Sequence, residues 1–312
     1  MKTAKIALGA SVLATHILQA ASEGVSLPSI KVYFADNLQI LKTLPSESVD
    51  LIYIDPPFNT GHKQLRSRFH TEESGKIREA SFGYDDSFDD FLGFIEPRMK
   101  EAYRILKPEG SLFFHLDYRE IHYCKVMLDK IFGRDSFINE IIWAYDYGAR
   151  SKKKWSAKHD NILWYAKNPE SYTFNYDEMD RIPYMAPGLV GPEKAARGKT
   201  PTDVWWHTIV SPNSYEKTGY ATQKPRGVID RIVKVHSRPG DLVMDFFAGS
   251  GTLGESAYDL GRNSILVDSN PDAIAVMKRR FAGKNAEWIG CDGVKPAPER
   301  AIPCKSKAAA AA

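Results

Sequence analysis

Short apolar runs alternate with helical periodicities along most of the chain. Three runs, IYID, LFFHL and LVMDFF, are apolar at nearly every position, which is typical of strands covered on both faces. Strands that alternate with helices are typical of a mainly parallel sheet. The pattern therefore predicts an α/β fold, with strands at 31–35, 49–54, 111–116, 138–144, 161–166, 242–246 and 264–267.

The intervening segments repeat their apolar positions with the period of an amphipathic helix. Between residues 145 and 220 this alternation gives way to Pro, Gly, Lys and aromatic residues, which indicates an insertion or a small second lobe. Helices are predicted at 37–43, 88–106, 118–131, 226–237, 254–260 and 271–280.

The composition excludes several classes of protein. Of the 312 residues, 43% are hydrophobic and 26% are charged, with a net charge of +3, as in ordinary globular domains. A disordered, collagen-like or multi-pass membrane chain is therefore excluded. The three cysteines cannot form a disulfide framework, and they lack the clustering of a zinc site. We expect no metal site.

The two ends of the chain have their own patterns. Residues 1–29 begin with lysines and an apolar stretch that resembles a secretory signal, but His16 and Gln19 interrupt it. An amphipathic helix or a non-native extension fits the same residues. The tail KSKAAAAA is of low complexity and takes no part in the predicted fold.

A glycine-rich loop follows the strand predicted at 242–246. Gly249, Gly251 and Gly254 satisfy the pattern G-x-G-x-x-G, and Asp268 ends the next strand. Glycines permit close backbone approach to a ligand, and the acid suits a ribose diol. The loop alone does not distinguish a nicotinamide cofactor from S-adenosylmethionine, and a tight turn without a ligand also fits.

The sequence Asp55-Pro56-Pro57-Phe58 follows the strand predicted at 49–54. Two prolines stiffen the chain at the strand's carboxyl end, where open α/β sheets place their chemistry. The Asp55 carboxylate and the Pro56 carbonyl can each accept a hydrogen bond from a planar amino group, and Phe58 can stack on the attached base. An ordinary Pro-Pro turn capped by Asp55 is the alternative.

Asp-Pro-Pro-Phe, Phe-Ala-Gly-Ser-Gly-Thr at 247–252 and Thr-Gln-Lys-Pro at 222–225 together resemble the β group of site-specific DNA amino-methyltransferases of restriction–modification systems. The resemblance covers residues 30–280. It implies a Rossmann-like S-adenosylmethionine-dependent methyltransferase sheet that is circularly permuted, with an inserted target-recognition region. The family commonly has Tyr where Phe58 stands, so any role of a hydroxyl there is in doubt.

The resemblance also assigns residues to roles. It implies that Asp55, Pro56, Pro57 and Phe58 bind the target amino group. Asp36 is preferred over Asp292 as the acid near the cofactor adenine, and Asp268 is the acid on its ribose. The implied S-adenosylmethionine-binding residues are Asp36, Thr222, Gln223, Lys224, Asp245, Phe246, Phe247, Ala248, Gly249, Ser250, Gly251, Thr252 and Asp268.

The function implied is methyl transfer from S-adenosylmethionine to N6 of a flipped adenine in duplex DNA. N4 methylation of cytosine uses the same architecture and stays open. A nicotinamide oxidoreductase would explain only the glycine loop, and a catalytically silent DNA-binding subunit would not need Asp55. Methylation of a cytosine ring carbon needs a Pro-Cys thiolate. The chain has such a dipeptide, Pro303-Cys304, but it lies in the irregular tail, so this reaction is not expected.

The region 145–220 lies where the family keeps its target-recognition region. Its basic residues can neutralise phosphates and its aromatic residues can wedge beside bases, although a solvated loop also fits. The segment 59–83, polar and basic, is interpreted as a flap over the extracted base. The predicted DNA-binding residues are Arg150, Lys152, Lys153, Lys154, Trp155, Lys158 and His159.

The predicted organisation is an extension at 1–29, a catalytic half at 30–144, the recognition insertion at 145–220, a cofactor-binding half at 221–292 and a tail at 293–312. Double-stranded DNA is the predicted partner. A second copy of the chain and a cognate restriction endonuclease are further candidates, and no membrane is expected. DNA and S-adenosylmethionine are cytoplasmic, so the cytoplasm is the expected location.

Overall fold

A computed structural model describes residues 27–72, 75–211 and 213–298, with residues 62–85 described by their backbone alone. The signal-like segment and the Pro303-Cys304 dipeptide therefore lie outside the described residues. The strands, in chain order, are β1 Ile30–Phe34, β2 Val49–Ile54, β3 His62–Glu72, β4 Gly75–Asp86, β5 Leu106–Leu116, β6 Phe137–Ala144, β7 His159–Ala166, β8 Val204–Trp206, β9 Leu242–Asp245, β10 Asn263–Asp268 and β11 Ala286–Ile289.

Helices connect most of the strands. Pro271 stands at the first position of the last helix, where its missing N–H costs nothing. Three single turns of 3-10 helix occur at Arg134–Ser136, Tyr176–Glu178 and Pro187–Leu189. The α-helices are α1 Asn37–Thr43, α2 Phe91–Ile105, α3 Ile121–Phe132, α4 Pro192–Arg197, α5 Arg226–His236, α6 Thr252–Asp259 and α7 Pro271–Arg280.

A nine-stranded sheet organises the described residues, in the order β11-β1-β10-β9-β2-β5-β7-β6-β8. The strands from β11 to β5 are parallel, and β7 runs antiparallel to both β5 and β6. Val32 lies opposite Leu266 in the β1–β10 pair. The first strand therefore pairs with the strand predicted at 264–267, and both ends of the chain build one sheet.

Two apolar clusters cover the two faces of the sheet. Leu51 and Tyr53 of β2 belong to the cluster under α5, α6 and α7, whereas Ile52 and Ile54 belong to the cluster under α1, α2 and α3. Successive side chains of a strand point to opposite faces, so a strand between two helical layers must be apolar at every position. This explains the consecutive apolar runs.

The structure differs from the prediction around residue 106. α2 begins at Phe91 and ends at Ile105, and β5 continues from it at Leu106. The helix was predicted to end at residue 106, and it ends at Ile105. The segment Lys107-Pro108-Glu109-Gly110 lies outside the strand predicted at 111–116, but it is part of β5. The Lys107 ammonium is 2.8 Å from a carboxylate oxygen of Asp50, and an irregular register between Val49 and Leu51 accommodates the extra residues.

The segment predicted as a flap is an antiparallel hairpin of β3 and β4, which forms its own two-stranded sheet. A ribbon outside the main sheet does not need apolar residues on both faces. The apolar pattern therefore did not reveal these strands. β11 was also absent from the predicted strands.

Two strands of the main sheet lie within the predicted recognition region. β7 stands between β5 and β6, and β8 pairs with β6 at the edge of the sheet. The region 145–220 thus consists of a loop before β7 and a longer segment after it. The two tryptophans of β8 differ in burial, since Trp205 is 7% exposed whereas Trp206 is 74% exposed.

Cys124 and Cys291 are buried free thiols. Across the described ranges, no helix is long and apolar enough to cross a membrane. The same ranges contain no group of three or more His, Cys, Asp or Glu side chains that could hold a metal ion.

Candidate active site

Four carboxylates meet at one edge of the sheet. Asp245 and Asp268 end β9 and β10, and Asp36 and Asp55 follow β1 and β2. These four strands are parallel neighbours, so their carboxyl ends lie together. A pocket of about 270 Å³ opens there, and all four aspartates line it.

Most of the residues predicted to bind the cofactor line this pocket. Pro57 of the catalytic turn also lines it, whereas Pro56, Phe58 and Gly251 are not part of its lining. The predicted residues in the lining are Asp36, Asp55, Pro57, Thr222, Gln223, Lys224, Asp245, Phe246, Phe247, Ala248, Gly249, Ser250, Thr252 and Asp268.

The glycine loop joins β9 to α6 with two left-handed residues, Gly249 (φ +49°) and Gly251 (φ +74°). The Gly249 N–H donates to Asp268 Oδ2 at 2.7 Å. A Cβ on Gly251 would lie 2.8 Å from Met277 Cγ and 2.7 Å from Phe281 Cζ. Gly251 thus allows α7 to pack behind the loop, and Gly249 faces the pocket.

Arg280 holds the glycine loop from behind. Its side chain is 3% exposed, and its guanidinium donates to the Ser250 carbonyl at 2.9 Å and to Thr252 Oγ1 at 3.2 Å. Glu255 accepts from the same guanidinium at 2.8 Å. A charge so enclosed requires a partner of opposite charge, and Glu255 is that partner. The Arg280 guanidinium thereby holds the glycine loop in its conformation before a ligand binds.

Burial changes the acidity of the two carboxyl groups beside the loop. Desolvation raises the pKa of Asp268 to about 6, although backbone N–H groups of Asn270, Gly249 and Ser269 oppose the rise. Desolvation also raises the pKa of Asp245 well above its ordinary value, and the nearby carboxylate of Asp55 adds to the rise. The pocket therefore disfavours further negative charge at this wall.

The wall beside Asp36 depends on Arg98, which is almost buried. The Arg98 guanidinium donates to Asp36 Oδ2 at 3.0 Å and to Asn37 Oδ1 at 2.6 Å. It also lies 3.8 Å from the centre of the Phe94 ring. Asn37 in turn donates to the Phe246 carbonyl at 2.7 Å. This network attaches α1 and α2 to the end of β9.

The segment before α5 is held by its own hydrogen bonds. Gln223 Oε1 accepts from the Thr218 N–H at 2.7 Å, and Gln223 Nε2 donates to the Glu216 carbonyl at 2.7 Å. Glu216 Oε1 accepts from the Arg226 N–H at 2.6 Å, so it caps α5. The Gln223 amide therefore shapes the pocket wall through the loop that it stabilises.

Lys224 bonds directly to the catalytic turn. Its ammonium donates to Asp55 Oδ2 and lies 4.8 Å from the centre of the Phe58 ring. The other oxygen, Asp55 Oδ1, is buried without a hydrogen-bond partner. Pro56 is buried and Phe58 is half-buried. A cation from one half of the chain thus holds the carboxylate of the other.

The turn continues into an anchored corner. Asn59 has a left-handed backbone (φ 52°), its N–H donates to Asp86 Oδ1 at 2.8 Å, and its side chain donates to Glu120 at 2.7 Å. Thr60 donates to Asp86 Oδ2 at 2.6 Å. The β3–β4 hairpin therefore leaves the sheet directly beside Asp55.

The predicted DNA-binding residues lie at the same edge of the sheet. The loop 145–158 joins β6 to β7, and β6 is parallel to β2 and β5, so the loop begins at the carboxyl edge. Lys152, Lys153 and Lys154 are exposed, and Trp155 is 99% exposed. Arg150 pairs with Asp146, and Lys158 donates to the Tyr147 carbonyl. His159 is the first residue of β7.

Sequence reasoning missed several residues of the pocket. Asn37, Arg98 and Tyr220 line it, and Arg280 holds the loop. Arg98 lies on the face of α2 that is otherwise apolar, which was an available signal. Tyr220 carried none, because its place depends on how the loop before Thr222 folds.

Comparison with known proteins identifies the family. The family model described as "DNA methylase" matches residues 49–279. The type II methyltransferase M.HpaI of Haemophilus parainfluenzae is 31% identical over 260 residues, which cover 82% of this chain and 74% of that protein. The DNA adenine methyltransferase YhdJ of Escherichia coli (strain K12) is 30% identical over 263 residues, which cover 80% of this chain and 82% of that protein.

Solved structures show the same fold. A structure of an M1.HpyAVI–SAM complex aligns with a TM-score of 0.54 at 22% identity and covers 80% of this chain and 98% of that one. The sheet is therefore that of the DNA methyltransferase structures, as the resemblance implied. With the family model matching residues 49–279, the chain belongs to the DNA methylase family.

Proposed function

We propose that this protein transfers a methyl group from S-adenosylmethionine to N6 of a flipped adenine in duplex DNA. The observation that carries the proposal is the placement of Asp55. Its carboxylate lies in the wall of the same pocket as the glycine loop and Asp268. The adenine specificity in the name of the relative from Escherichia coli supports N6 as the target.

The pocket residues suit S-adenosylmethionine. Asp268 and Asp36 offer carboxylate acceptors for hydroxyl and amino groups, and both line the pocket. A Cβ on Gly249 would lie 3.1 Å from Tyr220 Cε1, so only glycine keeps this part of the pocket open. When bound, S-adenosylmethionine supplies a methyl group activated by a sulfonium.

The catalytic turn needs only to bind and orient the amino group. The Asp55 carboxylate and the Pro56 carbonyl accept its two N–H bonds, which directs the nitrogen lone pair toward the cofactor side of the pocket. Positioning of this kind contributes much of a rate enhancement. Lys224 keeps the Asp55 side chain in place, and the Phe58 ring stands beside it.

Mapping of methylated bases tests this proposal. We expect incubation with S-adenosylmethionine and unmethylated plasmid DNA to methylate adenines within one short sequence, read at single-nucleotide resolution. Asp55→Ala should abolish transfer and leave cofactor binding near normal, because Asp55 contacts the amino group. Methylated cytosines would move the target to N4, and no methylation would reject the proposal.

Substitution of Lys224 distinguishes a role in orienting Asp55 from a role in binding the cofactor. We expect Lys224→Met to lower kcat at least tenfold, because Asp55 then loses the ammonium that pairs with its Oδ2. The dissociation constant for S-adenosylmethionine, measured by calorimetry, should change less than about threefold. Lys224→Arg retains the cation and is the matched control. A large loss of cofactor affinity with kcat intact would instead assign Lys224 to the cofactor carboxylate.

Asp268 makes cofactor binding depend on pH. Its pKa of about 6 leaves it largely protonated at pH 5 and ionised at pH 7. A ribose hydroxyl donates more strongly to the carboxylate than to the acid, so binding favours the ionised form and tightens as pH rises. We expect affinity for S-adenosylmethionine to increase about tenfold from pH 5 to pH 7. Asp268→Asn should bind more weakly, and its affinity should stay flat; the same tenfold rise in this variant would contradict the assignment.

The loop 145–158 is the proposed contact with DNA. Basic side chains on exposed loops displace counterions from phosphates, and each phosphate contact contributes about 0.9 to the slope of log affinity against log salt. We expect replacement of Lys152, Lys153 and Lys154 by Ala to weaken binding to duplex DNA and to reduce that slope by up to about 3. The matched control replaces three exposed lysines on α1, α2 and α3, namely Lys42, Lys100 and Lys130. Equal slopes for the two triple variants would reject the loop as the contact.

The remaining partners follow from the proposed reaction. A second copy of the chain and a restriction endonuclease of the same sequence specificity are predicted by the family resemblance. The cytoplasm is the proposed location, because DNA and S-adenosylmethionine meet there.

A further inference from the structure

A line of polar side chains runs beneath Asp55 across three neighbouring strands. The Tyr53 hydroxyl of β2 is 2.7 Å from His115 Nδ1 of β5, and His115 Nε2 is 3.2 Å from Asp160 Oδ2 of β7. Tyr145, one residue after β6, donates to the other oxygen of Asp160 at 3.0 Å. The four elements are adjacent in the sheet, so the line crosses it from the catalytic turn toward the basic loop.

The strand register produces this line. Tyr53 pairs with Phe113, two residues before His115, and His115 pairs with Ile162, two residues after Asp160. Residues two apart point to the same face of a sheet. Asp55, two residues beyond Tyr53, therefore continues the same face.

His115 occupies an environment that would otherwise be apolar. Its side chain is fully buried, and its ring contacts Trp143 and Phe58 with centroid distances of 5.6 and 5.9 Å. A buried polar side chain is unfavourable unless it is hydrogen-bonded, and both ring nitrogens have partners here. The two hydrogen bonds therefore offset the cost of burying a histidine in the run LFFHL, where an apolar residue would otherwise be favoured.

The line faces the unpaired oxygen of the catalytic carboxylate. Asp55 Oδ2 accepts from Lys224, and Asp55 Oδ1 is buried without a hydrogen-bond partner, 3.9 Å from His115 Nδ1. The pKa of Asp160 is lowered, and an ionised carboxylate can only accept a hydrogen bond. We therefore infer that His115 Nε2–H donates to Asp160 and that Nδ1 accepts from the Tyr53 hydroxyl. Burial, with the carboxylates of Asp55, Asp245 and Asp160 nearby, raises the pKa of Tyr53 well above its ordinary value, so its hydroxyl stays protonated.

We propose that His115, fixed by Asp160, is a positioning residue that acts through Tyr53 to keep Asp55 Oδ1 free as an acceptor for the target amino group. The proposal rests on the proposed function. The Tyr53 hydroxyl is directed to Nδ1, so Asp55 Oδ1, which has no hydrogen-bond partner, keeps its capacity to accept. Without the imidazole acceptor, the hydroxyl is free to turn toward the carboxylate, and Oδ1 loses that capacity.

The groups that act on His115 come from every neighbouring strand. Tyr53 and Asp55 belong to β2 and the turn after it, Asp160 to β7, and Trp143 to β6, where it contributes no charge. Tyr145 reaches the imidazole only through Asp160. The ammonium of Lys224, before α5, also acts on Asp160 and lowers its pKa together with the hydrogen bond from His115, although burial opposes them. Asp160 therefore stays ionised as the fixed end of the line.

The test uses the full chain, saturating S-adenosylmethionine and a duplex that carries the sequence mapped for the unaltered protein. We expect His115→Phe to lower the single-turnover rate at least tenfold with the cofactor dissociation constant little changed. The thermal midpoint should fall, because buried Asp160 loses a hydrogen-bond partner. His115→Asn offers an amide oxygen to the Tyr53 hydroxyl, so it should recover most of that rate.

Two further variants sharpen the result. Tyr53→Phe removes the hydroxyl that would otherwise turn toward Asp55 Oδ1. Tyr53→Phe alone should therefore keep most of the rate, and the double variant Tyr53→Phe/His115→Phe should recover most of the rate that His115→Phe loses. The matched control is His236→Asn, because His236 is also buried, at 5% exposure, but contacts Phe113 and Trp164 on the same face, away from Asp55. It should keep a rate within about twofold of that of the unaltered protein.

Several outcomes would overturn the proposal. They are an unchanged rate in His115→Phe, a rate in His115→Asn as low as in His115→Phe, no recovery of rate in the double variant, or a loss of rate that weaker cofactor binding accounts for. The proposed function fails separately, if the unaltered protein methylates no base. Methylation of cytosine would leave the inference standing, since Asp55 accepts an amino N–H in either case.

Discussion

The contact between Lys224 and Asp55 joins the two halves of the site. Asp55 follows β2 in the N-terminal half of the chain, and Lys224 precedes α5 in the C-terminal half. Both side chains are largely enclosed, at 14% and 13% exposure, so breaking the pair would leave a poorly solvated charge on each side. The segment before α5, which lines the pocket, is thereby tied to the carboxylate that we propose receives the target amino group.

The same edge of the sheet concentrates negative charge. Four parallel strands place Asp36, Asp55, Asp245 and Asp268 at one pocket. Different neighbouring groups offset the negative charge of each carboxylate. Asp36 has Arg98, Asp55 has Lys224, and Asp268 has three backbone N–H groups. Asp245 accepts from the Phe247 N–H, and burial, with the carboxylates of Asp55 and Asp268 nearby, raises its pKa. A ligand that brings a cation and hydrogen-bond donors suits this wall better than an anionic one does.

The sequence predicted elements where one physical rule decided the local structure. Consecutive apolar residues marked β2 and β9, and Pro271 marked the first turn of α7. The hairpin β3–β4 was not predicted because it forms its own two-stranded sheet outside the main one. The start of β5 was missed because Lys-Pro-Glu-Gly resembles a helix end unless its partner Asp50 is known. Asp55 and the glycine loop were found from local motifs. Arg98, Arg280 and His115 were not, because their partners lie tens of residues away in the chain and only the strand order brings them together.

The strand order also determines where the groups of the proposed reaction lie along the edge of the sheet. β1, β10 and β9 carry the acids and the glycine loop of the cofactor wall, and β2 next to them carries Asp55. β5 and β7 then carry His115 and Asp160, and the basic loop follows β6 beyond them. Cofactor, target base and duplex thus occupy successive positions along one edge. Because the edge depends on which strands are neighbours and not on which comes first in the chain, a permuted chain can build the same site, provided that a contact such as Lys224 to Asp55 ties its two halves together.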